Sequence, residues 1–264
     1  MNLLFRLMTR LLAGQQPEML PVDGARLQRA GEQCWVADRE LSYGGRSRFP
    51  IRMVVLRDQA GGLTLYSPVV LEEGTREALA GLGEVLRIVA PNRFHTLFAG
   101  RALDAYPNAT LLVPEDNAGL AERFPARTRI VRNHVEIVPG LELYPVRQRD
   151  EFSELAGYHD LSESLLLADL MFNFQQAASR LERFGYRMSG IWQRPGHSRL
   201  QRLLLLKDVP SIGGFYRWAL AKPFSQIIMA HGQVVADDAR EVFYQAFSRF
   251  GAAGSPVDSQ RPVP

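Results

Sequence analysis

The chain is nearly free of cysteine, with one, Cys34, among 264 residues. A single thiol rules out an intrachain disulfide and a cysteine-based metal cluster, and it fits a reducing, cytoplasmic compartment. Long apolar runs are missing too: no stretch of 18 apolar residues offers a spanning helix. A strong charge of either sign is also lacking. Lys and Arg number 31 against 28 Asp and Glu, a net charge of +3, and no nucleic-acid-binding motif accompanies it. What remains is the composition of an ordinary globular chain, 46% hydrophobic and 22% charged, long enough for one layered core. The expected division is an amphipathic segment and linker over residues 1–20, one domain over 21–250, and a disordered Pro/Ser/Gly-rich tail over 251–264.

The first segment carries Leu3, Leu4, Leu7, Met8, Leu11 and Leu12, with Arg6 and Arg10 one helical turn apart. Those arginines interrupt a signal-peptide core, and a short amphipathic helix fits better. Docked on its own domain it is structural; laid on anionic headgroups, residues 1–14 would make a membrane-peripheral contact. Strands are expected at Gln33–Ala37, Ile51–Arg57, Leu63–Tyr66, Val85–Ala90, Thr110–Val113, Val135–Val138, Leu141–Pro145, Phe152–Tyr158, Ser164–Ala168 and Gln226–Met229. Helices are expected at Glu72–Leu82, Leu97–Ala105, Asn117–Phe124, Met171–Phe184, Ser198–Lys207, Ser211–Leu220 and Asp237–Phe250.

Three polar residues share a placement. His95, Asp169 and His231 each follow shortly after an expected inner strand. Two imidazoles and a carboxylate suit a divalent metal such as zinc, with an open position for water. Three turn residues satisfied by backbone groups would produce the same pattern, and placement alone leaves both readings open.

An ordered set of short runs carries a resemblance. Thr-Leu-Tyr-Ser-Pro-Val at 64–69 is followed by Val-Ala-Pro-Asn-Arg-Phe-His at 89–95 and Tyr-Pro-Asn-Ala at 106–109. Leu-Leu-Leu-Ala-Asp-Leu-Met-Phe-Asn at 165–173 and Ile-Ile-Met-Ala-His-Gly at 227–232 complete it. Together these resemble an uncharacterised bacterial family, a divergent branch of the metallo-β-lactamase-fold superfamily, over roughly residues 52–250. The resemblance implies an αββα sandwich of two mixed sheets with a site along one sheet edge. It also implies a damaged site. Of the superfamily's His-x-His-x-Asp-His cluster only His95 remains, matched to the aspartate position. Asp169 matches the bridging aspartate and His231-Gly232 the last histidine. The remaining histidine would fall at Gln148 to Asp150, where none stands. His159, ten residues before Asp169, falls at a hairpin turn and is expected apart from the site. His134 and His197 have no partner pattern, and Cys34 reads as a core residue.

The resemblance therefore implies an impaired one-metal hydrolase or a non-catalytic relative. One divalent metal (zinc, iron or manganese) would sit on His95, Asp169 and His231, or none would be bound. The alternative is a binding module for an anionic ligand, an unknown small molecule, a membrane surface or a protein partner. It rests on residues 180–207, where Arg180, Arg183, Arg187, Arg194, Arg199, Arg202 and Lys207 face one acid, Glu182. Phe184, Tyr186 and Trp192 interleave with them and are expected to be buried beneath a solvated basic face.

Overall fold

A computed structural model describes residues 18–19, 27–43 and 47–251. The expected helix over 1–14 and the tail beyond 251 lie outside the described residues. The first sheet holds β1 (Glu18–Met19), β2 (Gln28–Gly31), β3 (Cys34–Tyr43), β4 (Ser47–Arg57), β5 (Leu63–Tyr66), β6 (Val85–Val89), β7 (Thr110–Pro114) and β8 (Thr128–Val131). Its order is β1-β3-β4-β5-β6-β7-β8, with β2 also on β3. Pairing is antiparallel as far as β5 and parallel from β5 to β8. The second sheet holds β9 (Val135–Val138), β10 (Leu141–Arg149), β11 (Phe152–His159), β12 (Ser164–Leu167) and β13 (Gln226–Met229). Its order is β13-β12-β11-β10-β9, with only β12 and β13 parallel.

Strand alternation builds the layers, because successive side chains point to opposite faces. Val54, Leu56, Tyr66, Val89 and Leu112 of the first sheet meet Leu141, Leu143, Leu155, Leu166 and Ile228 of the second in a shared inner core. The intervening residues face outward. Met53, Val55, Leu65, Ile88 and Val113 pack against α1 (Glu73–Leu82), α2 (Ala99–Ala105) and Leu120 of α3 (Ala118–Arg123). Ala156, Leu165, Leu167, Ile227 and Met229 pack against α6 (Val209–Leu220) and α7 (Ala239–Gly251). The expected αββα sandwich of two mixed sheets is what the chain forms.

Several elements differ from the sequence expectation. β3 runs six residues beyond the Gln33–Ala37 stretch that its apolar residues suggest, through the polar Asp38, Arg39 and Glu40. Tertiary ion pairs carry it: Arg39, 2% exposed, reaches Glu72 at 3.3 Å and Thr75 at 2.7 Å. Asp38 accepts from both Nε and Nη2 of Arg52, at 2.6 and 3.0 Å. The strands Gln28–Gly31 and Thr128–Val131, short and half polar, are additional to the expectation. The helix expected over Met171–Phe184 is displaced to α4 (Arg180–Ser189). Its start is marked by Ser179, whose Oγ accepts from Glu182 N at 3.1 Å, an N-cap signal. Residues 172–174 are extended instead, because Gly196, Trp192 and Gly232 bridge to them. The helix expected over Ser198–Lys207 is the shorter α5 (Arg199–Leu204), opened by a Ser198/Gln201 capping box.

Among the described residues no helix is long and apolar enough to cross a membrane.

Candidate metal centre

Three strand ends build the site. β6 ends at Val89, and Pro91-Asn92 turns the chain into a 3-10 turn, Arg93–Thr96, that carries His95. Asn92 caps that turn by accepting from Phe94 N at 2.8 Å. Parallel β12 and β13 end side by side, placing Asp169 and His231 just beyond them. Gly232 holds the turn after His231 at φ +85°, and a Cβ there would lie 2.2 Å from the Asn173 carbonyl oxygen. Only glycine allows that approach. The extended 172–174 stretch thereby packs directly on the His231 turn.

The three side chains converge. His95 Nε2 lies 3.2 Å from Asp169 Oδ2, and His231 Nε2 lies 3.1 Å from Asp169 Oδ1. The two Nε2 atoms are 3.3 Å apart. One ligand atom from each residue falls within 4.8 Å of the others, a grouping that could hold a metal ion. Each group is oriented from behind. His231 Nδ1 donates to the Pro50 carbonyl at 2.8 Å, which turns Nε2 towards His95 and Asp169. His95 Nδ1 shares a 2.7 Å hydrogen bond with Ser67 Oγ. Asn92 Nδ2 donates to Asp169 Oδ2 at 2.9 Å. Burial alone would raise the Asp169 carboxyl, but His95 and His231 hold it well below the usual carboxylate range.

A second carboxylate lies behind the first. Glu154, fully buried, accepts from the backbone N–H groups of Ala168 (2.7 Å), Asp169 (2.8 Å) and Leu170 (3.1 Å), and from Asn92 Nδ2 at 3.2 Å. Burial and the neighbouring Asp169 charge push its pKa up to about 8. Tyr66, raised by burial and by both carboxylates, stays protonated and donates to the Leu155 carbonyl at 2.8 Å. Neither Glu154 nor Ser67 stands out by sequence motif. The available signal is residue type: Glu154 is the one carboxylate in Phe152–His159, a strand buried at every residue except Ser153.

The other histidines lie elsewhere. His159 pairs with Ser164 at the first residue of β12, so it stands a strand length from Asp169, roughly 16 Å at strand rise. It occupies the hairpin turn as expected but is buried, 2% exposed, on Ser162 Oγ at 2.7 Å. His134 is on the surface, 2.6 Å from Glu142. Gln148, within the stretch where the resemblance calls for a histidine, is fully buried, with neither side-chain amide atom hydrogen-bonded. Cys34 is in the inner core, and burial pushes its thiol up to about 12.

His197 is buried with Nδ1 2.6 Å from the Leu170 carbonyl and Nε2 3.0 Å from the Ala246 carbonyl. A neutral ring can donate to only one of them. Burial, helped by Arg249 and Arg202, still pushes its pKa down to about 4. Between pH ~6.5 and ~4 the unfolded chain therefore takes up a proton that the folded chain refuses. Stability is full above that window and falls as pH drops through it, by up to about 3 kcal/mol. In urea titrations at pH 7.5 and 4.5, His197→Gln is expected to remove most of this loss. An unchanged pH slope would show that folding leaves the His197 pKa at its unfolded value.

Arg180, Arg183, Arg187, Arg194 and Arg199 are all exposed. Only Arg194 joins Arg202 and Arg249 around a cavity of about 310 Å³ between the end of α4 and α7. Tyr186 and Trp192 are half-buried, whereas Phe184, expected beneath the face, is 62% exposed.

Two mixed sheets packed face to face between helices, with histidines and an aspartate gathered at strand ends, give the metallo-β-lactamase fold. No protein family matches the sequence, and no curated protein is similar to it. Solved structures do match. One is the metallo-β-lactamase DIM-1 exposed to ceftazidime, at a TM-score of 0.58 and 12% identity over 87% of this chain and 99% of that one. A fragment of a putative diflavin flavoprotein from Nostoc sp. PCC 7120 matches at 0.58 and 13% identity, over 90% and 96%. The chemotaxis sensor ODP, solved as a peroxy diiron species, matches at 0.52 and 13%, over 89% and 94%. At such identities the likeness is one of fold.

Proposed function

We propose that this chain is a hydrolase-like protein that holds one divalent cation between His95, Asp169 and His231. The observation that supports it is the pair of Nε2 atoms 3.3 Å apart across one carboxylate. Two ring nitrogens closing at that distance across one carboxylate share an electropositive centre, a proton or a metal ion, and a metal ion can engage all three groups at once. Two imidazoles and a carboxylate fit zinc, iron or manganese. A cation bound there supplies Lewis acidity to water or to a substrate oxygen.

The chain's own residues prepare the position. The Pro50 carbonyl and Ser67 Oγ fix the two rings, and such outer partners set ring orientation and ligand basicity. Asn92 and Glu154 clamp the Asp169 turn from below. Asp169 stays ionised, the state a ligand or a water-orienting base needs.

A non-catalytic reading is favoured by the missing histidine. Gln148 to Asp150 offer no imidazole, so the ligands of a two-metal site are incomplete and one cation is the most this set supports. Turnover separates the two readings. Protein loaded in turn with Zn²⁺, Fe²⁺ and Mn²⁺ is expected to hydrolyse at least one of ester, phosphodiester or lactam probes, and Asp169→Asn to lose it. Stoichiometric metal without hydrolysis of any probe would leave a binding protein.

A further inference from the structure

The outer face of α4 and α5 matches no element of the fold. Seven large apolar side chains are exposed among the described residues, and five of them lie between positions 181 and 203. On α4, Leu181 (70% exposed), Phe184 and Met188 (56%) follow each other at i, i+3 and i+7, one line along the helix. Leu200 and Leu203 repeat the spacing on α5. No residue of α4 is fully buried.

The opposite side of α4 is fastened. Tyr186 stacks flat on Phe174, centroids 4.1 Å apart at 2°, and Trp192 lies parallel behind it at 6.3 Å. Glu182, the one acid of residues 180–207, turns inward to accept from Arg48 N at 3.2 Å and Ala178 N at 2.8 Å. The apolar line is therefore held outward by the fold. Beside it, one residue earlier in each turn and about 100° round the helix, stand Arg180, Arg183 and Arg187, all exposed. At the C-terminal end of α4, the cavity ringed by Arg194, Arg202 and Arg249 contains no carboxylate in its lining.

We infer that the α4–α5 face docks on an anionic lipid surface. A leucine, phenylalanine and methionine line flanked by arginines is the composition of a helix lying in a bilayer interface. The apolar side chains enter the acyl boundary and the guanidinium groups meet phosphates. The arginine-ringed cavity would receive one headgroup phosphate at the edge of that contact. The inference does not depend on the metal reading, since none of these residues belongs to the His95, Asp169 and His231 cluster. Residues 1–14 carry a second leucine and arginine segment by sequence, and the test has to separate the two.

The test is sedimentation of the full chain with phosphatidylcholine vesicles, with and without phosphatidylglycerol. Binding to the anionic vesicles is expected to exceed binding to neutral ones by roughly tenfold or more, and to weaken as salt rises from 0.05 to 0.5 M. The triple variant Leu181→Ser, Phe184→Ser, Met188→Ser is expected to lose at least tenfold in partitioning while keeping its circular dichroism and Tm, because the three side chains are exposed. Arg180→Gln with Arg183→Gln and Arg187→Gln is expected to lose the preference for anionic lipid. Failure to bind either vesicle would overturn the inference. So would undiminished binding of the triple serine variant, which would assign the contact to residues 1–14. Self-association that the serine variant abolishes, without vesicle binding, would assign the face to a second copy of this chain.

Discussion

Purified without a metal-binding tag, the protein is expected to carry close to one equivalent of zinc, iron or manganese, and His231→Ala to lose it. Elemental analysis after gel filtration reads both. The size of the loss follows from the geometry. His95, Asp169 and His231 each contribute one atom to a group within 4.8 Å, so removing one leaves two protein ligands and an affinity lower by roughly a hundredfold or more. Asn92→Ala keeps all three ligands but removes an outer partner of Asp169 and the cap of the turn that carries His95, and is expected to cost about 10–100-fold. That graded order separates a metal site from a proton shared within a His–Asp–His cluster. A protein that carries no metal, or carries as much in His231→Ala as in the parent, would sink the proposal. NMR titration of two rings sharing one proton would then describe the cluster instead.

Glu154→Ala is expected to be the most damaging single change outside the apolar cores. Glu154 accepts from three consecutive backbone N–H groups, at Ala168, Asp169 and Leu170, and from Asn92. Alanine would leave those donors buried without an acceptor, at about 1–3 kcal/mol for each group left unsatisfied. A total of roughly 3–5 kcal/mol is expected, because Asn92 keeps Asp169 and the turn can relax. Chemical denaturation at pH 6 would measure it, and a loss below about 1 kcal/mol would show that water replaces the carboxylate.

The pH dependence has the opposite sign to that of His197. The folded pKa of Glu154, about 8, lies above the unfolded value near 4.5. Its contribution is therefore complete below pH ~4.5 and erodes as pH rises to ~8. Glu154→Gln removes the titration and is expected to flatten the stability curve across that window, at a lower overall stability because its amide NH2 faces N–H donors.

Much of the fold is legible in the sequence because alternation and turn residues act locally. Leu63–Tyr66 and Gln226–Met229 have the expected bounds, and Val85–Val89 and Thr110–Pro114 differ by one residue at the end. His95, Asp169 and His231 are visible as polar residues placed just past apolar strands. The displaced helix at 171–184 shows where local pattern loses. Met171, Phe172 and Phe174 have the apolar content of a helix, but the backbone of 172–174 is taken by bridges to Gly196, Trp192 and Gly232, residues 18 to 59 positions away. No helical period encodes those partners.

The same distinction divides the site. Which residues could be ligands is a matter of residue type and strand-end position, and both are read along the chain. What orients them is not. Pro50 offers a carbonyl that every residue possesses, Ser67 an ordinary hydroxyl, and Glu154 a carboxylate 15 residues before Asp169. Pro50 gains its role only when the two sheets close face to face and bring β4 against the end of β13, whereas Ser67 and Glu154 gain theirs from the pairing of β5 with β6 and of β11 with β12. Periodicity reports which side of a strand is buried. It carries no information about which strands become neighbours or what lies across the two sheets, and those tertiary pairings select these three partners.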